Sequence, residues 1–257
     1  MERFASFSSD KVLYPHVHLS FDDHPITDWY TARGTLMLKK AKAVFYVDSW
    51  DELDDDDIDR LRSLRSDGHI IGCHGMNHID ALDYSKKYGI DAYIDDEIIP
   101  AMESMAAAGF SPTHFAFPNS SFDEPLYSAV SKLFCYVRPG NESHYYTKER
   151  MFIRGDRLNY QTETAEHRIR NGEMVNVVAD ISNSLKSGHG ISLVFHDVRR
   201  IGQPKHQGTR ASNDAFVTVE ELDTILSVVN AAGAEYETFA KHCKVGKDSF
   251  DKPEALV

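Results

Sequence analysis

The sequence predicts an α/β fold, a single domain in which parallel strands alternate with helices and curl into a distorted barrel of seven or eight β/α units. Three observations carry this. Short apolar runs rich in β-branched and aromatic residues alternate with segments of helical period. No Pro/Gly/Ser-rich linker divides the 257 residues. The 42% hydrophobic and 26% charged fractions are those of an ordinary globular chain. Strand–helix alternation requires a parallel sheet with helices outside it. The predicted domain is therefore 1–257, with its core at about 17–240 and short extensions at either end. In such a barrel, catalytic groups gather at the C-terminal ends of the strands.

The elements follow in order. Residues 17–21 read as the first strand and 26–40 as a helix. Residues 43–47 form the second strand, with a helix at 54–66. Residues 69–73 are the third, with a helix at 93–108. Residues 114–117 are the fourth, stopped by Pro118, with a helix at 124–133. Residues 135–138 and 152–154 are the fifth and sixth strands. A helix at 173–186 leads to the seventh, 190–195. Leu222, Ile225, Leu226 and Val229 then repeat at i, i+3, i+4, i+7 and define a helix over 219–231. Gly233 ends it, and 234–239 reads as a closing strand. The acidic run at 51–57 lacks a calcium loop's central glycine, so its carboxylates read as a cap and first helical turn, favoured by the helix dipole.

Composition excludes several classes of function. Lys and Arg number 28 against 40 Asp and Glu, a net charge of −12, which argues against nucleic-acid or anionic-membrane partners. Cys73, Cys135 and Cys243 fit neither a disulfide framework nor a cysteine zinc site. No apolar stretch approaches a membrane span, and residues 1–10 carry no apolar signal core, so a cytoplasmic location is the expectation. The remaining oddity is 13 histidines in an acidic chain.

Three predicted strand ends bear reactive side chains. Asp22 and Asp23 follow the first strand, His74 and His78 the third, and His196 and Asp197 the seventh. Two histidines and one carboxylate make a ligand set that leaves coordination positions open, as hydrolytic metal sites need. Histidines at i and i+4 share one face of a helical turn and can reach a single ion. An adjacent carboxylate can act as base and a separate histidine as acid. The set points to metal-assisted hydrolysis. The pair His16 and His18 also suggests an amidohydrolase-type metal site, but three residues of strand still follow His18.

Four ordered segments resemble the motifs of a known family: Ser20-Phe-Asp-Asp23, His74-Gly-Met-Asn-His78, Phe115-Ala-Phe-Pro-Asn119 and Ile191-Ser-Leu-Val-Phe-His196. They resemble the polysaccharide deacetylases, the NodB-homology proteins of carbohydrate esterase family 4, over about 17–239. The resemblance implies a NodB-like distorted (β/α) barrel that removes an N- or O-acyl group from a sugar. It implies Asp22 as general base, Asp23, His74 and His78 as metal ligands, and His196 as general acid. The backbone N–H of Asn119 would bind the oxyanion. The metal is expected to be zinc, with cobalt or nickel as alternatives.

The departures from the family pattern are specific. Gly75 stands where the family has Ser or Thr. The arginine of the third motif, which pairs with the base, is missing, and 115–119 look like the F-A-Y-P-Y-G variant of a sub-branch. Arg138 and Arg154, at later strand ends, are the candidates to replace it. The Asp-Trp motif that tunes the acid histidine has no counterpart, with Asp180 and Asp197 as substitutes to consider. After His196, Arg199, Arg200, Lys205 and Arg210 make a locally basic loop, which suggests a small anionic substrate. The expected substrate is a nucleotide- or lipid-linked acyl amino sugar of lipopolysaccharide, O-antigen or other glycan assembly. Alternatives are a glycan-binding protein without turnover and a hydrolase of a non-sugar amide or ureide.

Overall fold

The computed structural model describes residues 15–138, 158–159, 173–187, 190–200 and 216–239. Its centre is an eight-stranded sheet in the order β5-β4-β3-β2-β1-β7-β6, with β10 paired to the start of β1. The strands are β1 (His16–Asp23), β2 (Ala43–Val47), β3 (Ile70–Cys73), β4 (His114–Ala116), β5 (Tyr136–Arg138), β6 (Leu158–Asn159), β7 (Ile191–Phe195) and β10 (Glu235–Tyr236). Every pairing is parallel. A separate parallel pair joins β8 (Asp197–Arg199) to β9 (Phe216–Thr218). The sheet curls into a half-barrel with helices outside, the α/β architecture that the alternating pattern predicts.

Alternation along β1 sorts its side chains onto two faces. Val17, Leu19 and Phe21 join the main apolar core with Ile26, Trp29, Leu61 and Leu64 from the helices. Phe21 stacks on Phe45, with ring centroids 4.9 Å apart. The opposite, concave face carries His18, Ser20 and Asp22, all buried. Register places Asp22 beside Tyr46, Tyr46 beside Gly72, and Ala116 beside Arg138 on that same face. The inside of the half-barrel is thus polar and aromatic, and its apolar core lies between sheet and helices.

Local signals explain most helix boundaries. Asp54 caps the helix Asp55–Ser66 by accepting from the Asp57 N–H at 2.8 Å, and three aspartates fill the first turn. Thr218 and Glu221 form a reciprocal capping box at Val219–Ala231. The segment expected as one helix over 26–40 is two, Ile26–Thr31 and Arg33–Leu38. The segment over 93–108 opens with a wide π-turn, Ile94–Ile98, before the α-helix Ile99–Ala107. A helix at Ala81–Tyr88, capped by Asp80, and strands β6, β8 and β9 were not anticipated. The expected strand at 152–154 lies outside the described residues.

Candidate active site

Parallel strands bring their C-terminal ends to one edge, and the reactive residues stand there. Asp22 and Asp23 end β1, His74 follows β3, Asn119 follows β4, Arg138 ends β5, and His196 lies between β7 and β8.

Asp23, His74 and His78 converge, with one ligand atom from each lying within 4.8 Å of the others. The Asp23 carboxylate oxygen Oδ1 is 3.3 Å from His78 Nε2 and 3.7 Å from His74 Nε2. His74 Nδ1–H donates to the Ala116 carbonyl at 2.8 Å, so its Nε2 lone pair faces the cluster. Burial pushes the His74 pKa down, which keeps this imidazole neutral. Burial alone would raise the pKa of Asp23, but the His78 hydrogen bond and the neighbouring histidines outweigh it, so Asp23 stays ionised. Burial opposes protonation of His78 too, yet the bond to Asp23 and its charge raise the His78 pKa overall. Two imidazoles and one ionised carboxylate on one point fit a divalent transition metal.

The histidine pair does not use a helical turn, as the i, i+4 spacing suggested. Residues 74–80 form a loop. Gly75, with φ of +85°, and His78, with φ of +57°, bend the chain so that both imidazoles reach Asp23. Asp23 itself has φ of +79°. Left-handed backbone at non-glycine residues costs about 1–3 kcal/mol each and concentrates at functional sites. Backbone bonds hold the loop against β2: His74 N–H donates to the Val47 carbonyl and Ser49 N–H to the Met76 carbonyl, both at 2.9 Å.

Asp22 stands outside this cluster. Its Oδ2 accepts from the Arg138 guanidinium in a buried ion pair, while its Oδ1 has no hydrogen-bond partner among the described residues. Burial works against the Arg138 charge, but the Asp22 carboxylate outweighs it and raises the guanidinium pKa. Arg138 also lies over the Tyr46 ring, 5.0 Å from its centroid. Tyr46 can lie there because residue 72 is glycine: a Cβ at that position would come within 2.8 Å of Tyr46 Cδ1.

The other expected site residues are placed as follows. Asn119 has φ of +54° in the turn after β4, a conformation asparagine tolerates. That turn's backbone bonds use the N–H groups of Ser120 and Ser121. The His196 carbonyl accepts from Trp29 Nε1 at 2.7 Å. Arg199 is buried in β8 and donates to Asp197 from Nε at 3.0 Å and from Nη2, with Phe216 stacked on the guanidinium. That pair turns the Arg199 guanidinium into the fold. Arg200 is exposed. Arg154 and the Asp180 side chain lie outside the described residues. His18 is deep in β1, bonded to the Glu237 carbonyl at 3.0 Å and surrounded by Tyr46, Tyr136 and Phe239, away from the cluster. Three contributors had no clear sequence signal: Asp48, 2.5 Å from His24 Nδ1; Trp29; and Glu97, buried beside the 74–78 loop.

Residues 10–135 match the family model described as polysaccharide deacetylase. Over those residues the chain is similar to the polysaccharide deacetylases. No curated protein matches it. Among solved structures, the chain is similar to a family 4 carbohydrate esterase from Streptomyces lividans in complex with acetate, with TM-score 0.57, 16% identity, and coverage of 90% of this chain and 96% of that one. It is similar to the chitin deacetylase of Colletotrichum lindemuthianum, with TM-score 0.57, 16% identity, and coverage of 91% and 89%. An acetyl xylan esterase from Clostridium thermocellum, holding a cobalt ion, has TM-score 0.54, 22% identity, and coverage of 88% and 89%. At these identities the likeness is one of fold. No helix among the described residues is long and apolar enough to cross a membrane.

Proposed function

We propose that the chain is a metal-dependent hydrolase that removes an acyl group, acetyl or formyl, from an amino sugar. One observation carries this reading: Asp23, His74 and His78 converge on one point, while the neighbouring Asp22 is held apart from them by Arg138. A divalent ion on those three residues, zinc by preference and cobalt or nickel as alternatives, supplies Lewis acidity at the acyl carbonyl and lowers the pKa of water.

The chain's own residues do the rest. Asp22 accepts the proton of the attacking water on Oδ1, the oxygen Arg138 leaves open. Arg138 fixes the carboxylate through Oδ2. The Asn119 N–H donates to the developing oxyanion. His196 gives a proton to the departing nitrogen or oxygen, and Trp29 holds its main chain in place. The presence of a base–arginine pair weighs against a glycan-binding protein that has lost catalysis.

The finer substrate assignment is a nucleotide- or lipid-linked sugar handled inside the cell, as in O-antigen or other glycan assembly. The support for it is compositional: Arg200, Lys205 and Arg210 follow the strand that leaves the site in a chain of net charge −12. Metal analysis combined with acetate or formate release tests both levels. Release from acylated amino sugars, faster from nucleotide-linked forms than from chitin oligomers, is the expected result. Bound metal without release from any sugar would favour hydrolysis of a non-sugar amide or ureide. No bound metal would overturn the enzymatic reading.

A further inference from the structure

Glu97 lies in the π-turn Ile94–Ile98, is fully buried, and points its carboxylate at the 74–78 loop. Its Oε2 accepts from the Asn77 backbone N–H at 2.9 Å, and its Oε1 accepts from Asn77 Nδ2 at 2.6 Å. The bridge lands one residue before His78. On the other side of the loop, a Cβ at Gly75 would come within 3.1 Å of Glu97 Oε2. The place where the family resemblance leads one to expect a loop-ordering hydroxyl is therefore closed by this carboxylate, and φ of +85° at Gly75 disfavours any side chain there. A buried carboxylate is tolerated only where donors satisfy it, and charge-assisted bonds of this kind are the stronger ones. One-turn π-segments occur often at functional sites.

We infer that Glu97 is a positioning residue for metal binding: through Asn77 it holds the 74–78 loop in the conformation that sets His78 against Asp23 and His74. The inference rests on the reading of those three residues as metal ligands. Glu97 and the loop's bend act together, so the missing hydroxyl at residue 75 is replaced from the π-turn Ile94–Ile98.

The test is binding of cobalt(II) chloride to the metal-free full chain, followed by calorimetry and by visible absorption of the bound ion. Glu97→Ala is expected to weaken binding by about 10- to 100-fold and Asn77→Ala by about tenfold, the scale seen when partners of metal ligands are removed. Both should change the cobalt spectrum, because the ligand geometry changes. Glu97→Gln should stay within about threefold of the parent, since its amide oxygen still accepts the Asn77 N–H and a reversed Asn77 amide completes the bridge. Asn77 is exposed, so Asn77→Ala keeps its fold and carries the test even if Glu97→Ala does not fold. A parent chain that binds no cobalt would overturn the metal reading itself. A parent that binds, with Asn77→Ala equal to it in affinity and spectrum, would overturn the role of Glu97 alone.

Discussion

Arg138, the last residue of β5, is ion-paired to Asp22, the next-to-last residue of β1, across a separation of 116 residues. The segment 115–119 lacks the arginine that the family resemblance leads one to expect. Ala116, within that segment, is the direct register partner of Arg138 on the neighbouring strand. Arg138 thus stands one strand sideways from that segment, at the same level of the sheet's edge. The concave face then sets its orientation, because Gly72 admits the Tyr46 ring and the ring supports the guanidinium.

Replacing Arg138 should therefore disable the base without removing the metal. Arg138→Met is expected to lower kcat by about 10²–10⁴-fold, the usual contribution of a positioned proton acceptor. Metal content should stay at the parent level. Loss of the ion pair leaves Asp22 buried and uncompensated, a cost of about 3–5 kcal/mol, so denaturant midpoints should fall in parallel. Unchanged kcat in a folded Arg138→Met protein would show that Asp22 works without this partner.

Gly72→Ala tests the support beneath that pair. The new methyl group meets Tyr46 Cδ1 at 2.8 Å, with Tyr46 buried between β1 and β3. Overpacking of this kind costs about 1–3 kcal/mol. Lower stability together with reduced turnover is expected, measured by urea unfolding and acetate release. Loss of stability alone would separate the Tyr46 ring from the function of Arg138.

The fold was legible in sequence because burial patterns sort strands and helices cleanly, as at 43–47, 173–186 and 219–231, and the structure places those elements at the same residues. The convergence of Asp23, His74 and His78 was visible as residue types at strand ends, but its mechanism was not. The spacing of the two histidines suggested a helix, whereas left-handed backbone at Gly75 and His78 does the work. Glu97 and Asp48 were invisible because they reach the site only through tertiary contacts, and a buried carboxylate in a helical stretch carries no periodic signal. Arg199 shows the converse. In sequence it is a basic rim residue, but the buried Asp197 two positions earlier claims it.

That pairing gives a third prediction. Arg199→Ala takes the Arg199 cation away from the buried Asp197 and should destabilise the chain by about 1–3 kcal/mol, measured by urea unfolding. Kinetic parameters of the protein that remains folded at low temperature should be nearly those of the parent. A raised KM at unchanged stability would instead return Arg199 to substrate binding.

Stability should also fall on acidification below neutrality. Burial holds the pKa of His18 at about 3 and those of His69 and His114 at about 4, against 6.5 for an ordinary histidine. His69 Nδ1 accepts the Ala43 N–H at 3.1 Å, a bond that requires the neutral ring. Between pH 6.5 and about 4 the unfolded chain binds protons that the folded chain does not, so stability drops as pH falls through that window. The slope is about 1.4 kcal/mol per pH unit for each such histidine. Urea midpoints taken from pH 7.5 to 5 check this, and His69→Asn, which keeps an acceptor at that place, should reduce the slope by one proton. A midpoint that does not move over this range would mean that the histidines are not held neutral.

The central claim is that Asp23, His74 and His78 hold the metal while Asp22 takes the proton. Its most direct test is one comparison on zinc-loaded protein: acetate release from an N-acetylated amino sugar by the parent and by Asp22→Asn, with zinc measured in both. The account predicts equal zinc and a loss of release of at least about 10²-fold in the variant. Asp22→Asn protein that releases acetate at the parent rate with its zinc in place would contradict it.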